Sequence, residues 1–197
     1  KEDPLIGAKI GAGEVFSRLL NAMKTDQGVH IESLLVALSA LAGYSCQANV
    51  REQLRLKGLK PDSAFLNVDT KSGKTYFIGE SIDGPLFSQK LSIWSLAGGA
   101  ARDAGCQNLP DLEDIVKYTA GTFGDENYGV PRYPEGHSSM DNPANYLKGL
   151  WPKLLIIVRE YCPNPILWPV LYGMALQKAI DSSKELIDPE IAMSIVM

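Results

Sequence analysis

The segment from His30 to Leu56 constrains the fold more than any other part of the chain. Its apolar residues recur at helical spacing and form one broad stripe: Ile31, Leu34, Leu35, Leu38, Leu41 and Ala42. Small residues such as Ala37, Ser39 and Gly43 fill other positions, which lets neighbouring helices come close. Because its first half is apolar on several sides, we predict that this helix lies at the centre of a helical fold.

A shorter helix is predicted before it, from about Gly13 to Lys24, where apolar residues again recur at helical spacing. Gly28 follows as a stop signal. The glycine-rich stretch 6–14 precedes this helix but matches no phosphate-binding motif and follows no strand pattern. We therefore interpret residues 6–14 as a flexible N-terminal lead.

Later segments carry their own helix signals. Ser88 is expected to cap a helix over residues 88–104, with Gly105 placed to end it. Pro110, followed by acidic residues, opens a further helix through Ala120. Three more helix starts pair a capping side chain with a proline: Asn142-Pro143, Asn164-Pro165 and Asp188-Pro189.

One segment alternates like a strand pair instead. Leu66 and Val68 share one face, Tyr76 and Ile78 follow, and Lys71-Ser72-Gly73-Lys74 supplies turn chemistry between them. This pattern predicts a β-hairpin near residues 64–79. A hairpin of two strands is marginally stable by itself, so it must pack on the helices or pair with another strand, for example from a second copy of the protein.

These signals together predict a mainly α fold of the α+β class, with about six to eight helices and one hairpin. At 197 residues the chain fits one domain, residues 1–197, with enough length to bury a core. The sequence starts at Lys1 and stops at Met197 inside an apolar periodic segment, so it leaves open whether either terminus is complete.

The charge distribution and the cysteines limit which partners and which cellular compartment are expected for the protein. The net charge is −4, and Pro61 to Asn145 carries six basic and twelve acidic residues, so no clustered basic face for nucleic acid is expected. No uncharged apolar run in the sequence reaches the length of a membrane span, roughly 20 residues. The three cysteines form no metal or disulfide pattern, which indicates reduced thiols and a cytoplasmic location. We expect no cofactor.

The long connection over residues 121–141 is the segment that fits a helical bundle least. Connections of this length are commonly functional when they are ordered. Glu135, His137 and Asp141, with Asp125 and Glu126 nearby, are residue types that bind divalent cations, but their spacing matches no metal motif. A metal site is therefore not favoured, and a solvated acidic loop is the simpler interpretation.

Gly98 and Gly99 lie inside the helix predicted over residues 88–104, where glycine is unfavourable, so something is expected to approach that backbone closely. A neighbouring helix is the simpler explanation, and a bound ligand is the alternative. In the ligand hypothesis a pocket lies between this helix and the 121–141 loop. The walls of this pocket would be aromatic: Trp94, Phe123, Tyr128 and Tyr133. Its polar groups would come from the loop: Arg132, Glu135 and His137.

Two hypotheses about function follow. The first is a non-enzymatic domain that binds another protein or itself as a homodimer, motivated by the lone hairpin and the many small residues on helices. The second is a small-molecule or metal binder, or an enzyme, with its pocket at the 121–141 loop. Ser138 and Ser139 beside His137 form no nucleophile motif, so the sequence leaves open whether there is any catalysis.

Overall fold

Seven α-helices and two antiparallel hairpins are present in the computed structural model, which describes residues 3–69, 73, 75–125 and 127–197. The helices are α1 (Ile6–Met23), α2 (Ile31–Leu56), α3 (Ile93–Asp103), α4 (Leu112–Gly121), α5 (Pro143–Tyr161), α6 (Trp168–Ser183) and α7 (Pro189–Val196). The strands are β1 (Lys24–Thr25), β2 (Gly28–Val29), β3 (Leu66–Asp69) and β4 (Thr75–Ile78). The predicted mainly helical α+β class is confirmed.

Helix α2 lies at the centre, as predicted. It packs against α5, α6 and α7, while α6 also packs against α1 and α3. His30 caps α2, because its ring nitrogen Nδ1 accepts the backbone N–H of Ser33. By length and composition α2 is also apolar enough to cross a membrane, which the sequence argument missed, but 61% of that stretch is buried inside this fold. The buried core helix of a globular protein meets the same criteria.

The prediction of a flexible lead over residues 6–14 is wrong, because α1 already begins at Ile6. The glycines there serve close packing. A Cβ added to Gly7 would lie 2.2 Å from the backbone oxygen of Tyr161, and one added to Gly11 would lie 2.5 Å from Leu171 Cδ1. Glycine lets the backbone of α1 approach the end of α5 and the start of α6.

Helix α3 is shorter than predicted. Ser92, not Ser88, caps it, since the Ser92 hydroxyl accepts the backbone N–H of Ser95, and residues 84–88 form a separate turn of π-helix. A Cβ on Gly98 would meet Leu109 Cδ1 at 3.2 Å and Met193 Cε at 3.7 Å, whereas one on Gly99 would meet no atom within 4 Å among the described residues. Side chains of the fold itself, including one from α7, therefore approach α3 at Gly98.

The three predicted Asn-Pro and Asp-Pro starts are confirmed. Asn142 caps α5 and Asp188 caps α7, while Asn164 caps a short 3-10 turn (Pro165–Leu167) that leads directly into α6. Pro152 does not divide α5, which continues through it. Its pyrrolidine ring lies on the exposed side of the helix.

The predicted β-hairpin is confirmed, with Leu66 opposite Ile78 and Val68 opposite Tyr76. Of its predicted turn, Lys71, Ser72 and Lys74 lie outside the described residues, and Gly73 has a positive φ of 78°. One side of this hairpin packs on α2, because the Arg51 guanidinium lies 4.5 Å from the centre of the Phe77 ring. A second, two-residue hairpin of β1 and β2 around Gly28 was not predicted.

Candidate functional site

A segment that we call the cap, residues 107–142, consists of α4 and the long connection to α5. Not one of its described residues is buried, whereas every other α-helix contributes buried residues to the core. Asp111 caps α4 by accepting the backbone N–H of Glu113. The connection after α4 contains no helix or strand among the residues that the structure describes. The cap therefore has no core of its own and depends on its contacts with the rest of the molecule.

Two polar contacts attach the end of the cap to the start of α2. His137 Nδ1 lies 2.8 Å from Glu32 Oε1, and the backbone N–H of Met140 donates to Ser33 Oγ at 2.9 Å. His30 Nε2 lies 3.6 Å from the other carboxylate oxygen of Glu32. Both histidines of the chain thus meet at one carboxylate, which joins residues far apart in sequence.

The electrostatics of Glu32 reflect this arrangement. Burial by itself raises the pKa of the Glu32 carboxyl. The hydrogen bond with His137, the backbone N–H and the two nearby histidines lower this pKa by more, so it lies below its ordinary value. The carboxylate form is therefore the one that the attached cap favours.

Aromatic contacts attach the middle of the cap to the β3–β4 hairpin, and charged and polar contacts join the parts of the cap to each other. Phe123 and Tyr128 pack against each other and against Tyr76 of β4, with ring centres 4.5 to 5.1 Å apart. Arg132 pairs with Asp114 of α4 at 2.5 Å and lies over the ring of Tyr118 at 4.8 Å. The Tyr118 hydroxyl donates to the Val130 carbonyl at 3.1 Å. Helix α4 and the connection after it are thus joined to each other.

A cavity of about 470 Å³ lies between the cap and the core helices. Helix α2 contributes Val36, Ser39 and Ala40, and the last residues 194–197 complete the core side. Helix α4 and residues 129–134 form the cap side, with further contributions from Pro110 and Pro143. Most of the lining is apolar, and the volume lies within the range of small-molecule sites, about 300 to 1,000 Å³.

All seven polar side chains in this lining already have a partner within the protein. Four are hydroxyl groups that donate to backbone carbonyls: Ser39 to Leu35, Thr119 to Ile115, Tyr118 to Val130 and Ser194 to Glu190. The Tyr133 hydroxyl lies 2.8 Å from Ser139 Oγ, and Asp114 and Arg132 pair with each other. Each of these polar groups thus makes at least one hydrogen bond or ion pair within the protein itself.

The structure brings only part of the predicted pocket to this cavity. Arg132 and Tyr133 line it. Trp94 packs against the helical core, and none of the residues lining the cavity comes from α3, the helix that carries Gly98 and Gly99. Phe123 and Tyr128 face the hairpin instead. The 121–141 loop thus forms a cavity with α2, α4 and α7 rather than with α3.

The three metal candidates have separate surroundings. Glu135 is exposed, His137 binds Glu32, and the Asp141 carboxylate accepts the side-chain amide of Asn145 at 2.7 Å. Within the described residues there is no group of three or more His, Cys, Asp or Glu side chains placed to hold a metal ion. Glu126, which the sequence also offered as a possible metal ligand, lies outside the described residues.

The Ser33 hydroxyl and the three cysteine thiols are the groups considered as nucleophiles, and each is buried in the structure. Ser33 lies 2.9 Å from His30 Nδ1, but it is 1% exposed and also receives the Met140 N–H, so its hydroxyl serves the junction between α2 and the cap. Burial raises the pKa of the Cys46 thiol to about 12 and that of Cys162 to about 11, and it raises the pKa of Cys106 as well. These thiols remain protonated at neutral pH.

Sequence reasoning missed most of the cavity lining. The segment that carries Val36 and Ser39 is predicted only as a packed helix, and Glu32 carries no local signal, because its partner His137 is 105 residues away. Within the cap, the opposite charges of Asp114 and Arg132 are the sequence feature that could have indicated their contact. Comparison with protein-family models, curated proteins and solved structures finds no match to this chain, so its function rests on its own geometry.

Proposed function

We propose that this protein is a non-enzymatic binding domain that holds a small organic molecule in the cavity between the cap and the core. The observation that carries the proposal is the mainly apolar cavity of about 470 Å³ beneath a segment with no buried residues of its own. Apolar concave sites with few polar groups are typical of small-molecule binding. The protonated, buried thiols and the buried Ser33 favour binding without covalent chemistry.

The position of the cavity supports the same conclusion. Its floor belongs to α2, which is packed in the core, and its outer wall belongs to the cap, which is attached by a few polar and aromatic contacts. A ligand in the cavity would bury apolar surface of both regions at once. Ligand binding is therefore expected to stabilise the folded protein and to tighten the cap.

The test is a titration with N-phenyl-1-naphthylamine, an uncharged fluorophore whose emission rises in apolar surroundings. Saturable binding with a rise in melting temperature is expected. Ser39→Trp places an indole in the cavity and is expected to abolish binding. Ser182→Trp is the matched control, because Ser182 also donates to the carbonyl four residues earlier but is exposed on α6.

Circular dichroism melting of both variants shows whether they fold. If Ser39→Trp does not fold, Ala40→Leu fills less of the same cavity and replaces it. Absence of saturable binding by the folded wild-type protein would overturn the proposal. Equal binding by Ser39→Trp and Ser182→Trp would place the fluorophore elsewhere and would count against it as well.

The hairpin of β3 and β4 supports a second candidate function, binding to a second copy of the chain or to another protein. Leu66 and Ile78 lie opposite each other on one face and are 71% and 39% exposed. Light scattering at increasing concentration tests self-association. Leu66→Lys is expected to abolish it, whereas Leu186→Lys, at an equally exposed leucine, is expected to have no effect. A monomer at all concentrations would exclude the homodimer.

A further inference from the structure

We infer that the ligand of this cavity is an uncharged, mainly apolar molecule; this inference rests on the proposed function and specifies its ligand class. Every polar side chain that lines the cavity already has at least one partner within the protein. Its four hydroxyl donors to backbone carbonyls, exemplified by Ser39 and Tyr118, are already satisfied within the protein. A ligand with several polar groups would lose water without receiving equivalent hydrogen bonds, which is unfavourable.

The backbone around the cavity strengthens this conclusion. Four of the lining residues are prolines, Pro110, Pro131, Pro134 and Pro143, and proline has no backbone N–H to donate. Val130 offers a carbonyl, but the Tyr118 hydroxyl already binds it. Anionic groups in protein sites depend on N–H donors or on unpaired cations. The prolines therefore remove four N–H donors that a carboxylate or phosphate would need.

The charges in the lining cancel each other. Asp114 and Arg132 form an ion pair at the cavity, and they are the one acidic and the one basic side chain among its described lining residues. An anion beside Arg132 would also meet the negative charge of Asp114, and a cation beside Asp114 would also meet the positive charge of Arg132. The other acids of residues 61–145 add a negative field that opposes anions further.

The size of the cavity sets the size of the ligand. A volume of about 470 Å³ equals that of roughly 16 water molecules at about 30 Å³ each. A flexible chain or small ring system of similar size would fill it. An uncharged compound such as 1-decanol is a suitable test ligand, since decanoate and decylamine have the same chain with a negative or a positive head.

The experiment is competition of these three compounds against N-phenyl-1-naphthylamine at neutral pH with the wild-type protein. 1-Decanol is expected to displace the fluorophore at a concentration about tenfold lower than decanoate or decylamine, since a charged head is desolvated without a partner. If either charged compound competes as well as 1-decanol, the inference about ligand class is wrong.

Two variants sharpen the test by breaking the ion pair. Asp114→Asn leaves Arg132 without its partner and is expected to raise the affinity for decanoate by about tenfold. Arg132→Gln is expected to do the same for decylamine, measured in each variant as the ratio of the affinity for the charged compound to the affinity for 1-decanol. Glu113→Gln is the matched control, because Glu113 lies on the same turn of α4 but pairs with Lys117 and does not line the cavity.

The outcomes separate the two proposals. If the fluorophore and all three compounds fail to bind, the proposed function fails and the ligand class fails with it. If 1-decanol binds but decanoate binds equally well in the wild type, the binding function stands and only the ligand class fails. Unchanged charge selectivity in both Asp114→Asn and Arg132→Gln, with 1-decanol still bound, would show that the ion pair does not set the selectivity and would overturn that step.

Discussion

The helical core and the cap are stabilised by different kinds of contact. In the core, Leu38 and Leu41 of α2 and Leu176 of α6 are fully buried, and they share one buried cluster with apolar residues of α1, α3, α5 and α7. In the cap, no described residue is buried, and attachment depends on a carboxylate–histidine contact, the hydrogen bond from Met140 to Ser33 and a few aromatic rings. Changes in the core are therefore expected to alter global stability, whereas changes in the cap alter its attachment and the cavity beneath it.

The largest effect is expected from removing a core side chain. Leu38→Ala is expected to lower the free energy of unfolding by about 3 kcal/mol, because it leaves a cavity among closely packed helices. Val116→Ala, at a half-exposed position of α4, is expected to lower it by less than about 0.5 kcal/mol. Urea unfolding followed by circular dichroism measures both. Similar losses for the two variants would contradict the division into core and cap.

The next effect concerns close helix packing in the core. Gly7→Ala is expected to cost about 2 kcal/mol, because its Cβ would collide with the Tyr161 carbonyl. Gly13→Ala, also in α1, has its nearest neighbour at 4.0 Å and is expected to gain about 0.5 kcal/mol from its better helix propensity. The same urea experiment compares them. A gain for Gly7→Ala would show that α1 moves freely away from α5.

The attachment of the cap is expected to depend on pH through Glu32. Because its pKa is lower in the folded protein than in an open chain, the ionised carboxylate favours the attached cap above pH 4.5. This stabilisation is lost as the pH falls through the lowered pKa of Glu32. Hydrogen exchange of the peptide containing Met140, corrected for intrinsic rates, is expected to show the cap opening as the solution is acidified.

Glu32→Gln is expected to remove this pH dependence and to open the cap at neutral pH. Glu135→Gln serves as the control, because Glu135 lies in the same connection but is exposed. If Glu32→Gln exchanges at Met140 as slowly as the wild type does, the contact with His137 does not hold the cap.

The smallest effect concerns a hydroxyl group in the core. The Tyr172 hydroxyl is buried and has no hydrogen-bond partner among the described residues, while its ring stacks on Trp151. Tyr172→Phe is expected to raise the free energy of unfolding by up to about 1 kcal/mol, since an unsatisfied buried polar group is removed. Tyr133→Phe removes a satisfied hydroxyl in the cap and is expected to be neutral or slightly destabilising. Thermal unfolding compares the signs, and a loss for Tyr172→Phe would reveal a partner for its hydroxyl.

Periodicity and capping residues in the sequence predicted the helices whose formation depends on local interactions. The periodicity of residues 30–56 predicted α2, and Asn142, Asn164 and Asp188 predicted three helix starts, because periodicity and capping act within a few residues. The same reasoning failed for residues 6–14. Their glycines suggested flexibility, whereas their role is to let α1 approach a distant segment of the chain.

The candidate site was less accessible to sequence reasoning. The sequence predicted a pocket at the 121–141 connection, and Arg132 and Tyr133 of that connection line the cavity. The other wall was predicted on α3 but is formed by α2, α4 and α7, which no local pattern specifies.

The sequence by itself determined most of the helical segments, where three of the later ones begin, and that a hairpin forms at β3 and β4. These properties follow from spacing, capping and turn chemistry within short stretches of chain. Only the tertiary structure decided that His30 and His137 meet at Glu32, that Gly7 lies against Tyr161, and that an apolar cavity lies beneath the cap. Those contacts join residues distant in sequence, and they depend on how the helices pack rather than on any local pattern.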